Sequence, residues 1–353
     1  MLNRIALAPL TRLRAVNHIP GPEVAEYYHQ RAVAEPGTLL ISEATQIAPQ
    51  AVGYASAPGI WSREQIEAWK KVTTKVHEGK SFIYLQLWAL GRQADPNALK
   101  QLGDYDVVSA SDIPMKGGAT PRALTIAEVK EYVQWFGTAA KNAIEAGFDG
   151  VEIHGANGYL LDQFLHENSN HRTDEYGGSI ENRSRFTLEV VDEVTKAIGA
   201  DKTAIRLSPW GDFGSMDPGI SPIPQFGHLL AELEKRGRDG KQLAFIHVVD
   251  PRVNFFSDSY GKLDRSQVAF VRDIWSGVLV RAGAYGKDLP EMEELTEEDD
   301  KLIIAIGRLF ISNPDLVKKL KQGKTLDPYD RSTFYWDGKF ALEHGYTVDY
   351  VKS

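Results

Sequence analysis

The stretch Gly147-Phe-Asp-Gly-Val-Glu-Ile-His-Gly-Ala-Asn-Gly-Tyr159 follows a long helical pattern and passes through a short apolar segment into polar residues. Val151 and Ile153 flank Glu152 in a segment that is too short for a helix and is bounded by glycines, which predicts a buried strand. Three polar side chains follow at its carboxyl end: His154, Asn157 and Tyr159. Their spacing leaves two interpretations open, a capped turn with a packed tyrosine or a set of functional groups on a rigid platform.

Composition narrows the class of protein. The 353 residues are 42% hydrophobic and 25% charged, which is typical of a soluble globular protein. No apolar run approaches the roughly 18 residues of a membrane helix, and the net charge of -8 comes without a basic stripe. We therefore expect a small-molecule substrate, no membrane or nucleic-acid partner, and a monomer or homodimer.

The chain has no cysteine. This excludes disulfides, thiolate metal sites, cysteine nucleophiles and cysteine-ligated iron–sulfur clusters, and no other metal site is predicted. The amino terminus enters an apolar strand pattern without a cleavable signal, so the expected location is cytoplasmic.

A strand pattern followed by a helix pattern recurs eight times along the chain. The predicted strands are residues 5–8, 38–42, 81–87, 151–154, 203–207, 243–248, 278–281 and 302–306. The predicted helices are residues 22–33, 63–77, 126–146, 180–198, 224–236, 266–275, 291–298 and 314–321. Because the strands are apolar throughout, both of their faces should be covered, as in parallel strands joined by helical crossovers.

Eight such units predict a closed (β/α)8 barrel, the TIM barrel, with a parallel eight-stranded core. An open doubly wound sheet is the alternative. Against it, no G-x-G-x-x-G follows the first strand and no G-x-x-x-x-G-K-[ST] occurs in the chain. No linker of biased composition divides the sequence, so we predict one domain over residues 1–353.

The active site of a TIM barrel lies at the carboxyl ends of its strands. The candidate residues there are Thr11 after strand one, Gln86 and Trp88 at strand three, Arg206 in strand five, Gly283 after strand seven, and Gly307 and Arg308 after strand eight. Glycines after the last two strands, with an arginine beside the second, suit a phosphate held by backbone N–H groups and a guanidinium. Each glycine taken alone is equally explained as a turn residue.

Arg206 stands inside an apolar run, so its side chain must pair with an anion or reach a wet barrel mouth. No strand neighbour offers a carboxylate, although a salt bridge to a distant acid remains an alternative. The side-chain amide of Gln86, also inside an apolar strand, likewise needs a partner with hydrogen-bond donors and acceptors. A ring system rich in carbonyl and imide groups would satisfy both side chains.

Nine motifs, in order, span nearly the whole chain: Ala8-Pro-Leu-Thr-Arg12, Ser42-Glu-Ala-Thr45, Ala57-Pro-Gly-Ile-Trp61, Leu85-Gln-Leu-Trp88, Glu152-Ile-His-Gly-Ala-Asn-Gly-Tyr-Leu-Leu161, Tyr176-Gly-Gly-Ser-Ile-Glu-Asn-Arg183, Arg206-Leu-Ser-Pro209, Ile306-Gly-Arg308 and Asn313-Pro-Asp-Leu316. In order and spacing they resemble the motifs of the Old Yellow Enzymes, flavin-dependent ene-reductases built on this barrel. The resemblance is to the fungal and plant-like subgroup, because the chain has Thr11 in the first motif and no cysteine near the expected flavin.

This resemblance implies a bound FMN with its ring system over the barrel mouth. Thr11 would contact the flavin carbonyl near N5, and Gln86 and Arg206 would contact the pyrimidine edge. The charge of Arg206 would stabilise the anionic reduced flavin. The residues expected to hold the phosphate are Gly283, Gly307 and Arg308. The subgroup prefers NADPH as the reductant.

The resemblance also assigns roles to the side chains after strand four. His154 and Asn157 would donate hydrogen bonds to the carbonyl oxygen of an α,β-unsaturated substrate beside Trp88, which stabilises enolate charge as hydride arrives. Tyr159, whose ordinary pKa is about 10, would supply the proton. The expected reaction is reduction of an activated C=C bond in a carbonyl or nitro compound.

Two other functions stay open at this point. The protein could isomerise or help to cyclise a fungal secondary metabolite, although an intact Tyr159 favours net reduction. It could also be a non-catalytic flavin-binding barrel. Family members usually carry a further stretch before the first strand, and the stretch 335–350 departs from the family pattern. Two explanations of the first departure stay open, an open barrel floor or a gene model that begins too late, and the second departure leaves the cap over the substrate unassigned.

Overall fold

The structure, a computed structural model, describes residues 4–252, 260–336, 338 and 344–347. Eight parallel strands close into a barrel in the spatial order β1, β10, β9, β8, β7, β6, β3, β2. These strands are β1 (Ile5–Leu7), β2 (Leu39–Gln46), β3 (Phe82–Trp88), β6 (Gly150–Gly155), β7 (Thr203–Leu207), β8 (Phe245–Val249), β9 (Leu279–Ala282) and β10 (Leu302–Ile306). The predicted TIM barrel is confirmed, and every predicted strand is present.

Helices surround the barrel and cover the outer faces of its strands. They are α1 (Pro22–Ala34), α2 (Arg63–Glu78), α3 (Pro96–Gly103), α4 (Ile126–Glu145), α5 (Leu160–Leu165), α6 (Ile180–Ile198), α7 (Ile223–Arg236), α8 (Ser266–Ile274), α9 (Leu289–Glu298), α10 (Arg308–Ser312) and α11 (Leu316–Lys321). Their starts follow local chemistry. In α4, for example, Thr125 and Glu128 form a reciprocal capping box that satisfies the first free N–H groups. Within the described residues, no helix is both long and apolar enough to cross a membrane.

The structure extends the second predicted strand from residue 42 to Gln46. The apolar pattern stops at residue 42, but the polar residues that follow are also buried because they find partners. The Oε1 of Gln46 accepts a hydrogen bond from the N–H of Gly53 at 2.8 Å. A carboxylate oxygen of Glu43 accepts one from the N–H of Arg12 at 3.2 Å.

Several short elements were not predicted. A two-stranded sheet of β4 (Val108–Ser109) and β5 (Arg122–Ala123) lies in the excursion between β3 and α4. The helices α3, α5 and α10 are eight residues long or shorter. Segments of this length carry too little periodicity to be recognised, because tertiary contacts rather than propensity stabilise them.

The barrel interior changes from apolar to polar along its axis. Towards the amino ends of the strands, Tyr84 and Phe245 pack with ring centroids 5.3 Å apart beside Ala204 and Val280. At that end Leu39, Tyr84 and Ile303 are only half-buried. Polar side chains replace apolar ones towards the carboxyl ends, which is where the candidate residues lie.

Candidate active site

The strand order divides the predicted site residues into two arcs of the barrel mouth. Strands β3, β6 and β7 are neighbours and bring together Gln86, Trp88, His154, Asn157, Tyr159 and Arg206. Strands β9, β10 and β1 are neighbours on the opposite side and bring together Gly283, Gly307, Arg308 and Thr11. The first arc therefore holds the aromatic side chains and most of the polar ones, and the second holds the glycines together with Thr11 and Arg308.

Three aromatic side chains of the first arc contact one another. The Tyr159 ring meets the Trp88 ring edge to face with centroids 4.8 Å apart, and it meets the His154 ring with centroids 4.9 Å apart. The rings of Trp88 and His154 lie 6.3 Å apart and nearly parallel. The imidazole, the phenol and the indole thus line one small region, although Trp88 ends β3 and Tyr159 follows β6.

The turn after β6 is built by the main chain of Asn157 and not by its side chain. Asn157 has φ +57°, a left-handed conformation that asparagine tolerates better than most residues. Its N–H donates to Ser208 Oγ at 2.7 Å, and its carbonyl accepts from Gln93 Nε2 at 2.9 Å. The N–H of Gly158 donates to Asp162 Oδ2 at 2.8 Å. The side-chain amide of Asn157 takes no part in these hydrogen bonds of the turn, which argues against the capped-turn interpretation.

Burial shifts the pKa values of His154 and Tyr159 in opposite directions. The pKa of His154 falls well below its usual value, first because the imidazole is buried and then because of the positive charge of Arg206. The pKa of Tyr159 rises well above 10, first through burial and then through the neighbouring phenols Tyr54 and Tyr335. At neutral pH the imidazole is uncharged and the phenol keeps its proton.

Two functional candidates, Glu152 and His247, were missed from the sequence. Glu152 Oε1 accepts a hydrogen bond from Gln86 Nε2 at 2.7 Å, and Glu152 Oε2 lies 2.7 Å from His247 Nδ1. The expectation that no strand neighbour offers a carboxylate to Arg206 was wrong. Burial lowers the pKa of Arg206, and the charge of Glu152 on the adjacent strand opposes this shift. A charged residue between two apolar ones was the available signal, as it was for Arg206.

Four buried polar atoms of the first arc have no hydrogen-bond partner among the described residues. They are Trp88 Nε1, His154 Nδ1, Asn157 Oδ1 and Arg206 Nε. Because a buried polar atom without a partner costs free energy, this cluster fits a ligand that carries several donors and acceptors. The described residues contain no group of three or more acidic or histidine side chains placed to bind a metal ion.

The second arc fits a phosphate less directly. A Cβ atom on Gly283 would lie 2.6 Å from the Asp250 carboxylate, so close packing alone requires glycine there. Arg252 Nε donates to the carbonyl oxygen of Gly283 at 2.5 Å and fixes that loop. Gly307 directly precedes α10, whose first residue is the half-buried Arg308.

The segment that follows β1 is tied to the carboxyl-terminal part of the chain. Thr11 is half-buried, and the guanidinium of the adjacent Arg12 donates to the carbonyl oxygens of Phe334 and Thr333 at 2.8 and 3.1 Å. The exposed Tyr335 lies close enough to Tyr159 to raise its pKa. Of the stretch 335–350, which departs from the family pattern, residues 337, 339–343 and 348–350 lie outside the described residues.

The chain is similar over nearly its whole length to known oxidoreductases. The model of the NADH:flavin oxidoreductase / NADH oxidase family matches residues 1–327. Enoate reductase 1 of Kluyveromyces lactis is 46% identical, with 99% of this chain and 90% of that protein covered. Chanoclavine-I aldehyde reductase fgaOx3 of Penicillium roqueforti is 44% identical, with 100% of this chain and 95% of that protein covered. The crystal structure of Old Yellow Enzyme from Pichia sp. AKU4542 superposes with a TM-score of 0.86 at 41% identity, covering 94% of this chain and 86% of that chain.

Proposed function

The chain belongs to the NADH:flavin oxidoreductase / NADH oxidase family, which includes Old Yellow Enzyme, and we propose that it is an ene-reductase. It is an oxidoreductase that uses FMN and a nicotinamide reductant. We propose NADPH as that reductant. The substrate would carry a C=C bond conjugated to a carbonyl or nitro group.

The residues of the two arcs would hold FMN by different chemistry. The unpartnered guanidinium nitrogen of Arg206 and the amide of Gln86 suit the carbonyl and imide groups of the flavin ring. Thr11 would contact the same ring. The phosphate would be held by Gly283, Gly307 and Arg308. When bound, FMN supplies the hydride that the nicotinamide has provided.

His154 and Asn157 would hold the oxygen atom of the substrate. His154 is neutral because its pKa is lowered, so one ring nitrogen can donate a hydrogen bond without placing a charge in the site. The amide of Asn157 can present either its nitrogen or its oxygen after a flip, because the two ends differ little in shape. Two donors aimed at one oxygen stabilise the negative charge that develops there, and Trp88 provides an apolar wall.

Tyr159 would deliver the proton to the carbon α to the activating group. The observation that carries this proposal is the 4.9 Å contact between the Tyr159 and His154 rings. It sets a proton donor beside the group that would hold the substrate oxygen. The raised pKa keeps the phenol protonated at neutral pH, as a general acid requires.

The same contact bears on the two alternative functions. An isomerase or cyclase would need the enolate to persist long enough for rotation, whereas a phenol beside the substrate protonates it quickly. A non-catalytic flavin barrel would have no use for a buried imidazole and amide without partners. Both observations favour net reduction.

A spectroscopic titration tests the proposal. The purified protein is supplied with FMN, its visible spectrum is recorded anaerobically during addition of NADPH or NADH, and cyclohexenone is then added. We expect the flavin to bleach with NADPH and to recover its colour with cyclohexenone. A protein that cannot take up FMN, or a reduced flavin that cyclohexenone does not reoxidise, would contradict the proposal.

A further inference from the structure

We propose that Glu152 is a positioning residue for the flavin half of the site: its carboxylate fixes the orientation of the Gln86 amide and offsets the charge of Arg206. The inference rests on the proposed function and extends it to the redox behaviour of the bound flavin. Four neighbouring strands take part, because Gln86 pairs in register with Glu152, and Arg206 pairs in register with His247.

The first contact sets the direction of an amide. Gln86 Nε2 lies 2.7 Å from Glu152 Oε1. An ionised carboxylate only accepts hydrogen bonds, so it selects the nitrogen end of the amide and rejects the oxygen end. Gln86 is therefore held with Oε1 and one remaining N–H directed away from Glu152. A ligand at the mouth meets a fixed acceptor and donor instead of a freely flipping amide.

The second contact occupies the other carboxylate oxygen of Glu152. Its Oε2 lies 2.7 Å from His247 Nδ1, and both side chains have no exposed surface. Burial lowers the pKa of His247 although the charge of Glu152 opposes this, so the imidazole is neutral and donates its Nδ1–H. His247 Nε2 has no partner among the described residues, as expected for the tautomer with its proton on Nδ1. Both carboxylate oxygens of Glu152 thus accept hydrogen bonds.

These contacts leave Glu152 as the counter-charge of Arg206. Arg206 is 8% exposed and Glu152 is fully buried, so water screens their interaction weakly. With His247 neutral, the cluster of Gln86, Glu152, Arg206 and His247 carries no net charge. Removing the charge of Glu152 would leave Arg206 uncompensated, and an anion at the mouth would be stabilised. The reduced, anionic flavin would gain more from this than the oxidised, neutral flavin.

The test compares the FMN-loaded wild-type protein with Glu152→Gln. The reduction potential of bound FMN is measured against a reference dye, and the dissociation constants of oxidised and reduced FMN are measured separately. We expect the affinity for reduced FMN to rise on the order of tenfold relative to the affinity for oxidised FMN. This ratio corresponds to a reduction potential about 30 mV more positive for a two-electron couple. Glu234→Gln is the matched control, because Glu234 is 6% exposed and bonds Ser276 on the outer helical layer. Its potential should stay at the wild-type value.

A second variant separates charge from position. Glu152→Asp keeps the charge but shortens the reach to Gln86, so oxidised FMN should bind more weakly. The affinity of reduced FMN relative to that of oxidised FMN should change by less than about twofold, so the reduction potential should stay nearly constant. An unmoved potential in Glu152→Gln, or an equal shift in Glu152→Asp, would overturn the role of the charge. If the wild-type protein binds FMN, neither of these results contradicts the proposed function. A wild-type protein that does not bind FMN contradicts the proposed function itself.

The tautomer of His247 in the wild-type protein provides a test that does not depend on whether a variant folds. The ¹⁵N chemical shifts of His247 distinguish the two neutral tautomers from the imidazolium. We expect the neutral form with its proton on Nδ1 at neutral pH, because burial lowers the pKa of His247. A proton on Nε2 alone, or an imidazolium, would mean that Glu152 is protonated or is the counter-charge of His247, and the proposal would be wrong.

Discussion

The rings of His154 and Tyr159 meet edge to face, with centroids 4.9 Å apart and planes inclined by 74°. They are five positions apart in the sequence, and the left-handed residue Asn157 between them turns the chain back so that they touch. Burial drives the pKa of the imidazole down and that of the phenol up. Neither group carries a charge at neutral pH, yet one can donate a hydrogen bond and the other a proton.

Replacing Tyr159 by phenylalanine should separate the two half-reactions. Tyr159→Phe removes the proposed acid and keeps the ring contact with Trp88. We expect reduction of the flavin by NADPH at nearly the wild-type rate and reoxidation by cyclohexenone slowed by about 10²- to 10⁴-fold, the usual contribution of a general acid. Stopped-flow absorbance of each half-reaction measures both rates.

The matched control is Tyr84→Phe, because Tyr84 packs against Phe245 towards the opposite end of the barrel. Both half-reactions should proceed at wild-type rates in that variant. If Tyr159→Phe reoxidised at the wild-type rate as well, Tyr159 would not be the acid. Because the pKa of Tyr159 is raised above 10, the wild-type reoxidation rate should not fall between pH 7 and pH 10 through loss of this proton.

His154 and Asn157 should be needed for binding an oxygen ligand. We expect His154→Ala combined with Asn157→Ala to weaken phenol binding by about 10- to 100-fold or more, because each lost hydrogen bond contributes on the order of 1 kcal/mol. The change is measured by titrating phenol into the FMN-loaded protein and following the flavin spectrum. Phenol titrations identical to those of the wild type would contradict the proposed role.

The backbone of Asn157 requires its own control. Its φ of +57° would strain an alanine at this position by roughly 1 to 2 kcal/mol, so Asn157→Ala changes the turn as well as the amide. Asn157→Gly removes the amide without that strain. If weaker phenol binding comes from loss of the amide, the glycine and alanine variants should bind phenol equally. Restored binding in Asn157→Gly would instead assign the effect to the turn.

The fold could be predicted because its signals are local. Each barrel strand is an apolar run of a few residues, and each long helix has an apolar face, so the eight repeats are visible without any tertiary contact. The strand β2 runs four residues beyond its apolar pattern because Gln46 and Glu43 find partners in loops outside the strand. The partner of Glu43 is Arg12, 31 positions away, and no local pattern indicates such a contact.

Part of the site could be predicted because its residues interrupt local patterns of the sequence. Arg206 was recognised because a charge inside an apolar strand requires an explanation. Glu152 carried the same signal, but a strand assignment already accounted for its neighbours, and its contact with His247 spans 95 positions. The close approach of Asp250 to Gly283 is likewise a contact between two strand ends, which only the barrel register reveals.

Acid should destabilise the protein through His154. Its pKa is lowered by burial, so below about pH 6.5 the unfolded chain binds a proton there that the folded chain does not. The free energy of unfolding should then fall as the pH falls, by up to about 1.4 kcal/mol per pH unit from this group. His154→Gln lacks the group, so its stability should fall less steeply between pH 6.5 and pH 5. Urea unfolding of both proteins across this range is the measurement, and parallel curves would contradict the prediction.

The loop after β9 should gain stability from a substitution at Ala284. This half-buried residue has φ +59°, a left-handed conformation that costs alanine roughly 1 to 2 kcal/mol and asparagine less. We expect Ala284→Asn to raise the free energy of unfolding by about 0.5 to 1 kcal/mol. Ala284→Gly should gain less, because glycine relieves the strain but adds roughly 0.5 to 1 kcal/mol of backbone entropy to the unfolded state.

Ala200→Asn is the control for the change at Ala284, because Ala200 is half-buried in a short turn but is not among the residues with positive φ. Ala200→Asn should not raise the free energy of unfolding. A gain in both variants would be an effect of asparagine itself and not of relieved backbone strain at residue 284. The loop carries Gly283, whose carbonyl oxygen is held by Arg252. Relief of strain at the neighbouring residue should leave that contact in place, and FMN should bind to Ala284→Asn as it does to the wild type. A loss of FMN affinity in a more stable variant would show instead that the strained conformation of Ala284 serves the phosphate end of the site.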